Sequence, residues 1–195
     1  MRAAPMIDEA IRAEGRARLI RDAALALAAT LLLTLSAKIQ IPFYPVPMTM
    51  QSLVVLVIGA AFGWRLGAAT VLLYLAEGAA GLPVFAGTPE KGIGLPYMMG
   101  PTGGYLLGFV LGAALTGWLA ERGWTKSAGG ALAAIALGHV ALFVPGWAWL
   151  ATLIGAEKAW LAGVAPFYAA TVLKTALGAA LLPAAWWLLD RVRRD

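Results

Sequence analysis

Apolar residues in this chain fall into long runs, separated by short segments that carry the charges, prolines and glycines. The runs cover residues 19–37, 48–62, 66–80, 105–120, 128–144 and 166–189. Several approach or exceed the roughly 20 apolar residues that a helix needs to cross a bilayer. The 48–62 run is short for a full span, and neighbouring helices would have to support it. Gly63-Trp64-Arg65 reads as a tight turn between two runs. Pro145-Gly146 is expected to break or kink the fifth run, with 147–154 continuing as apolar sequence, and Glu157 and Lys158 mark a loop. Ahead of the first run, residues 7–21 read as a short amphipathic helix lying on the inner membrane surface.

The segment 81–104 breaks the pattern. It holds Pro83, Pro89, Pro96, Pro101 and seven glycines, too many for a helix. It also holds Leu82, Val84, Phe85, Tyr97, Met98 and Met99, too apolar for a disordered linker. A connection this long is usually functional, and irregular backbone near a membrane must be buried in protein or line a cavity. It is expected to be an ordered loop over a pocket.

Composition agrees with a membrane protein. Hydrophobic residues make up 61% of the chain and charged residues 13%. The net charge of +5 could suggest nucleic acid, but no basic stripe is interleaved with aromatics, so nucleic-acid binding is not expected. The chain has no cysteine and a single histidine, His139. Disulfides, thiolate sites and paired-histidine metal sites are therefore excluded, and no cofactor is expected. Ser36, Ser52 and Ser127 lie in no nucleophile motif, which argues against a serine hydrolase.

The lysines and arginines set the orientation. With the N-terminus inside, the inner segments hold Arg2, Arg12, Arg16, Arg18, Arg21, Arg65, Arg122, Lys126, Arg191, Arg193 and Arg194. The outer segments hold Lys38, Lys91 and Lys158. An excess of positive charge marks the cytoplasmic side. The expectation is an all-α integral membrane protein of six transmembrane helices in one domain, residues 1–195. Both termini are cytoplasmic, residues 1–18 form the inner amphipathic segment, and 81–104 faces outward.

Lys174 carries most of the candidate chemistry. It follows Pro166 by eight residues, which puts it about 12 Å below the outer end of its helix. A charge at that depth costs about 2.5–3.5 kcal/mol on insertion scales. Two readings stand: the ammonium snorkels outward along its stem, or it lines a cavity that receives an anion. Phe167, Thr171, Lys174 and Gly178 share a helical face, which would suit an amphipathic anion. Glu90 and Lys91 are either a solvated turn or a gate over the ligand. Gly100-Pro101-Thr102-Gly103-Gly104-Tyr105 is either a packed turn or a place where backbone N–H groups at a helix start meet a ligand oxygen. Glu77 is expected to be exposed, and His139 to be a hydrogen-bonded packing residue or a proton relay. Ala24 and Ala28 form a small-xxx-small pair that permits close helix approach in lipid.

Several blocks resemble a known family. Ile41-Pro42-Phe43-Tyr44-Pro45-Val46-Pro47-Met48-Thr49-Met50-Gln51 is similar to the first-loop signature of BioY, the biotin-specific substrate-binding (S) component of energy-coupling factor (ECF) transporters. Gly81-Leu82-Pro83-Val84-Phe85-Ala86-Gly87 and the 100–105 block resemble two further signatures, and Pro166-Phe167 with Lys174 matches the start of its last helix. The blocks occur in the family's order across most of the chain.

The resemblance implies a six-helix S-component fold and high-affinity biotin uptake across the bacterial cytoplasmic (inner) membrane. The implied partners are a transmembrane coupling protein and two cytoplasmic ATPases, with no enzymatic activity in this chain. Ala24 and Ala28 would match the motif that docks on the coupling protein; self-association is the competing arrangement. The family often has an acidic residue three positions before the lysine. Thr171 stands there instead, and Glu90 is the candidate replacement. For biotin, Lys174 or Lys91 would meet the carboxylate. Phe43, Tyr44, Phe85, Tyr97, Tyr105, Phe167 and Tyr168 would wall the ring system, and Thr102, Gly103 or Gln51 would bond the ureido edge. The alternatives are an S component for another vitamin, or a membrane enzyme acting on a lipid or isoprenoid.

Overall fold

A computed structural model describes residues 4–41 and 44–193. Among the described residues, the regular structure is helical apart from one two-stranded ribbon. Its elements are α1 (Met6–Ala10), α2 (Gly15–Lys38), β1 (Gln40–Ile41), β2 (Met48–Thr49), α3 (Gln51–Ala79) and α4 (Gly94–Met98). There follow α5 (Gly103–Ala120), α6 (Ala128–Ile154), α7 (Ala156–Gly163) and α8 (Tyr168–Val192), with 3-10 turns before α6 and α8. Among the described residues, five helical stretches are long and apolar enough to cross a membrane: α2, α3, α5, α6 and the stretch from α7 through α8. This is a multi-pass membrane protein.

α3 is two antiparallel arms. Gly63 interrupts it at φ 79° and ψ 169°, a backbone conformation that costs only glycine little. In a straight helix, Gln51 and Tyr74 would lie about 34 Å apart. Instead the Gln51 amide nitrogen donates to the Tyr74 hydroxyl at 2.6 Å. The Glu121 carboxylate then accepts from the Trp64 N–H at 3.2 Å. It thereby caps the first free donor of the second arm.

The arms pack on α5 through small residues. A Cβ at Gly117 would stand 2.6 Å from the Trp64 Cα, and one at Gly59 would stand 2.7 Å from the Ala113 Cα. Backbones this close pack by dispersion over their whole length, and that packing drives helix association where lipid removes the hydrophobic difference.

Some features depart from the sequence reading. Residues 7–21 are not one amphipathic helix. The chain is extended at Ile11 and bends, so that α1 folds back on the start of α2. Ion pairs hold it there: Asp8 meets Arg21 at 2.5 Å and Arg18 at 3.4 Å, the Arg21 guanidinium donates to the Ile11 carbonyl, and Glu9 pairs with Arg193. Pro145 does not end α6, which runs unbroken to Ile154. An interior proline costs about 3 kcal/mol or more. Tertiary packing carries it here, with Gly146 seated against the Tyr105 ring. Glu157 and Lys158 are in the first turn of α7 rather than in a loop. Glu77 is half-buried, not exposed, and accepts from the Thr30 hydroxyl at 3.0 Å.

Candidate functional site

Because α3 begins only at Gln51, the chain between α2 and α3 fills the space above it with the β1–β2 ribbon, in which Gln40 pairs with Thr49 and Ile41 with Met48. The 81–102 segment and the start of α5 close over this region. Between them lies a narrow pocket lined by side chains of these elements, concave and mostly apolar with a few polar groups, as small-ligand sites are. It lies at the end of the bundle opposite α1 and the last turn of α8. Val46, Pro47, Thr49 and Ser52 form one wall. Phe109, Leu142 and Phe143 form the floor side, with Phe85 and Ala86 from the loop.

Two aromatic groups shape the walls. Phe85 stacks on Tyr97 with centroids 5.1 Å apart and meets Tyr74 edge-on at 5.4 Å. Across the cavity, Phe143 packs against Tyr105 at 6.0 Å and Phe167 at 5.9 Å. The tyrosine hydroxyls are committed to backbone: Tyr97 donates to the Ala86 carbonyl at 2.8 Å and Tyr105 to the Gly163 carbonyl at 2.7 Å. Burial pushes the Tyr97 phenol above its ordinary pKa, with Thr102 pulling the other way, so the phenol remains a donor.

Among the described residues, Lys174 is the one formally charged residue of the lining. It is 8% exposed, so it does not snorkel to solvent. Its ammonium donates to the Thr49 carbonyl at 2.5 Å and the Ser52 hydroxyl at 3.1 Å. Both acceptors are neutral, so the positive charge is not cancelled by them. Gln51 gives its amide nitrogen to Tyr74 and to the Leu33 carbonyl, which leaves its carbonyl oxygen as the acceptor it can offer the cavity. The lining thus combines one cation, one amide acceptor, hydroxyls and aromatic walls. That set suits a compact amphipathic anion with polar N–H groups. Among the described residues, no group of acidic, histidine or cysteine side chains could hold a metal ion.

Of the candidates, the structure brings together Lys174, Gln51, Phe85, Tyr97, Thr102, Tyr105 and Phe167. Six others stand apart. Glu90 and Lys91 are exposed on the loop, where the Lys91 stem lies over Gly87. Tyr44 is 92% exposed. Tyr168 points away from the cavity and packs edge-on to Trp160 at 6.1 Å. Thr171 is half-buried outside the lining, because three helical residues turn it about 60° from Lys174. Gly103 faces α6, next to the Trp149 indole nitrogen. Phe43 lies outside the described residues. Sequence reasoning missed Ser52, Thr49, Tyr74 and the α6 wall. Only Thr49 and Ser52, hydroxyls at the start of an apolar run, left any signal.

His139 is buried between α6 and α8, its Nδ1 3.1 Å from the Thr175 hydroxyl. It does not line the cavity.

Fold and site together define a polytopic helical membrane protein with a partly open, aromatic-walled pocket at one end. The model of the BioY family matches residues 7–191, and the chain belongs to that family. It is 34% identical over 145 residues to "Probable biotin transporter BioY" of Pyrococcus horikoshii, across 74% of this chain and 83% of the relative. It is 39% identical over 152 residues to "Biotin transporter BioY" of Rhizobium etli, across 73% and 79%. The crystal structure of the S-component for biotin from an ECF-type ABC transporter superposes with a TM-score of 0.75. It covers 94% of this chain and 96% of that one at 23% identity, so the two share a fold.

Proposed function

We propose that this chain takes up biotin across the cytoplasmic membrane as the biotin-binding S component of an ECF-type transporter. The observation that carries it is Lys174: one buried cation in an otherwise uncharged, aromatic-walled cavity, in a member of the BioY family. The biotin carboxylate meets Lys174 in a charge-assisted bond. The Gln51 carbonyl accepts from a ureido N–H, and the bicyclic ring lies against Phe85, Tyr97 and Phe167.

The chain is a transporter subunit rather than an enzyme; ATP hydrolysis belongs to two cytoplasmic ATPases, reached through a transmembrane coupling protein. Counting α3 as two spans gives six, with both termini cytoplasmic and the cavity facing outward. The reversal at Gly63 supports that count. Ala24 and Ala28 lie exposed on α2 beside Leu27, Leu31 and Leu35. This uncovered apolar face supports the docking role.

Uptake of radiolabelled biotin by a biotin-requiring bacterium, expressing this chain with an energy-coupling module, tests the proposal. Uptake above that of the module alone is expected. Uptake of a different vitamin instead, or of none, contradicts it.

A further inference from the structure

Residues 83–88 line the cavity through Phe85 and Ala86, yet belong to no helix or strand. Buried carbonyls must still find donors. Here side chains from three other elements supply them. Tyr74 of α3 donates to the Val84 carbonyl at 2.7 Å and Tyr97 of α4 to that of Ala86 at 2.8 Å. Three more are met by Lys38, the last residue of α2. Its ammonium lies 3.0 Å from the Pro83 carbonyl, 3.1 Å from that of Phe85 and 2.8 Å from that of Thr88, and 3.1 Å from the Thr88 hydroxyl. The same hydroxyl donates to the Phe85 carbonyl at 2.7 Å, closing the turn.

Four neutral oxygens surround one ammonium group, with no carboxylate among them. This is the arrangement by which a loop wraps a cation. A compact ammonium fits such a cage where a planar guanidinium does not. Lys38 does not itself line the cavity.

We propose that Lys38 is a positioning residue of the ligand site: its ammonium, held at the exposed end of α2, is the cation around which residues 83–88 fold, and it acts on the ligand through Phe85 and Ala86 rather than by contact. The role rests on the biotin-binding reading for its effect on affinity, but not for its effect on the loop.

The test uses the purified full chain carrying K38A or K38M, with two measurements. One is the biotin dissociation constant. The other is the rate at which a cysteine at Ala86, buried in the native chain, reacts with a maleimide in the absence of ligand; the chain has no other cysteine. Both variants should weaken biotin by about tenfold or more, because the Pro83 and Thr88 carbonyls lose this donor, and both should speed labelling at Ala86→Cys. n-Propylammonium replaces the part of the side chain that alanine lacks. It should restore affinity and protection in K38A but not in K38M, whose stem fills the path. Tetramethylammonium, a cation without N–H donors, should restore neither.

Wild-type affinity in K38A, or a loss of affinity and protection that n-propylammonium leaves unchanged, overturns the inference. If the wild-type chain ignores biotin, the transport reading fails, and the labelling rates alone still decide the role of Lys38.

Discussion

Lys174→Met removes the cation and keeps a stem of similar shape. In the ligand-free chain the ammonium is buried and bonded to the Thr49 carbonyl and Ser52 hydroxyl at 2.5 and 3.1 Å. Losing bonds from a charged donor costs about 1.5–3 kcal/mol each. Burying the charge in the first place costs several kcal/mol. These terms oppose each other and are similar in size, so ligand-free stability should stay level or rise. Binding is different, because a carboxylate would then be buried without its partner. Truncating one member of a buried charge pair costs about 2–5 kcal/mol, a loss of about 30-fold to several thousandfold in affinity. Biotin amide supplies the second arm of a cycle, since it keeps the ring and chain but not the charge. The wild-type chain should strongly prefer biotin over the amide by titration calorimetry in detergent, and Lys174→Met should bind the two nearly alike. A variant that still prefers biotin by the wild-type factor refutes the pairing of Lys174 with the carboxylate.

The fold and its setting give three more expectations. Gly63→Val forces a β-branched residue to φ 79° and should destabilise the chain by more than about 1 kcal/mol, seen as a lower unfolding midpoint; an unchanged midpoint would remove Gly63 as the reversal point. A cysteine at Glu90 should react with an impermeant maleimide on intact cells, and one at Gly129 only after lysis; the opposite pattern inverts the topology. Ala24→Trp and Ala28→Trp should still bind biotin but lose co-purification with the coupling protein, because close helix approach needs small side chains; wild-type recovery of the complex would make the pair ordinary lipid-facing alanines.

The features legible in the sequence are those written in neighbouring residues. The apolar runs gave most of the long helices to within a few positions, though α6 runs on to Ile154 and α7 went unread, and Gly63-Trp64-Arg65 marked the reversal. Lys174 stood out because a charge in an apolar run is costly. What the sequence hid depends on contacts distant along the chain. Lys38 reads as a charge ending a helix, and nothing local says that it gathers carbonyls some 45 to 50 residues away. Glu77 reads as exposed until Thr30, 47 residues earlier, is brought against it. Shared spacing also misleads where side-chain direction decides. Tyr168 and Thr171 sit close to Lys174 in sequence, but the turn of α8 aims them elsewhere. Pro145 reads as a break, and only the packing of Gly146 on Tyr105 explains why α6 continues.

The central claim is that the cavity above α3 is a biotin site complete within this chain. Its most direct test is calorimetric titration of the purified protein, without ATP or any partner, against biotin and a panel of other vitamins and lipids. The account predicts saturable biotin binding at about one per chain. It also predicts a rise in apparent stability of about 4 kcal/mol at a thousandfold excess over the dissociation constant. No heat and no stabilisation with biotin, beside a clear response to another compound, would contradict it.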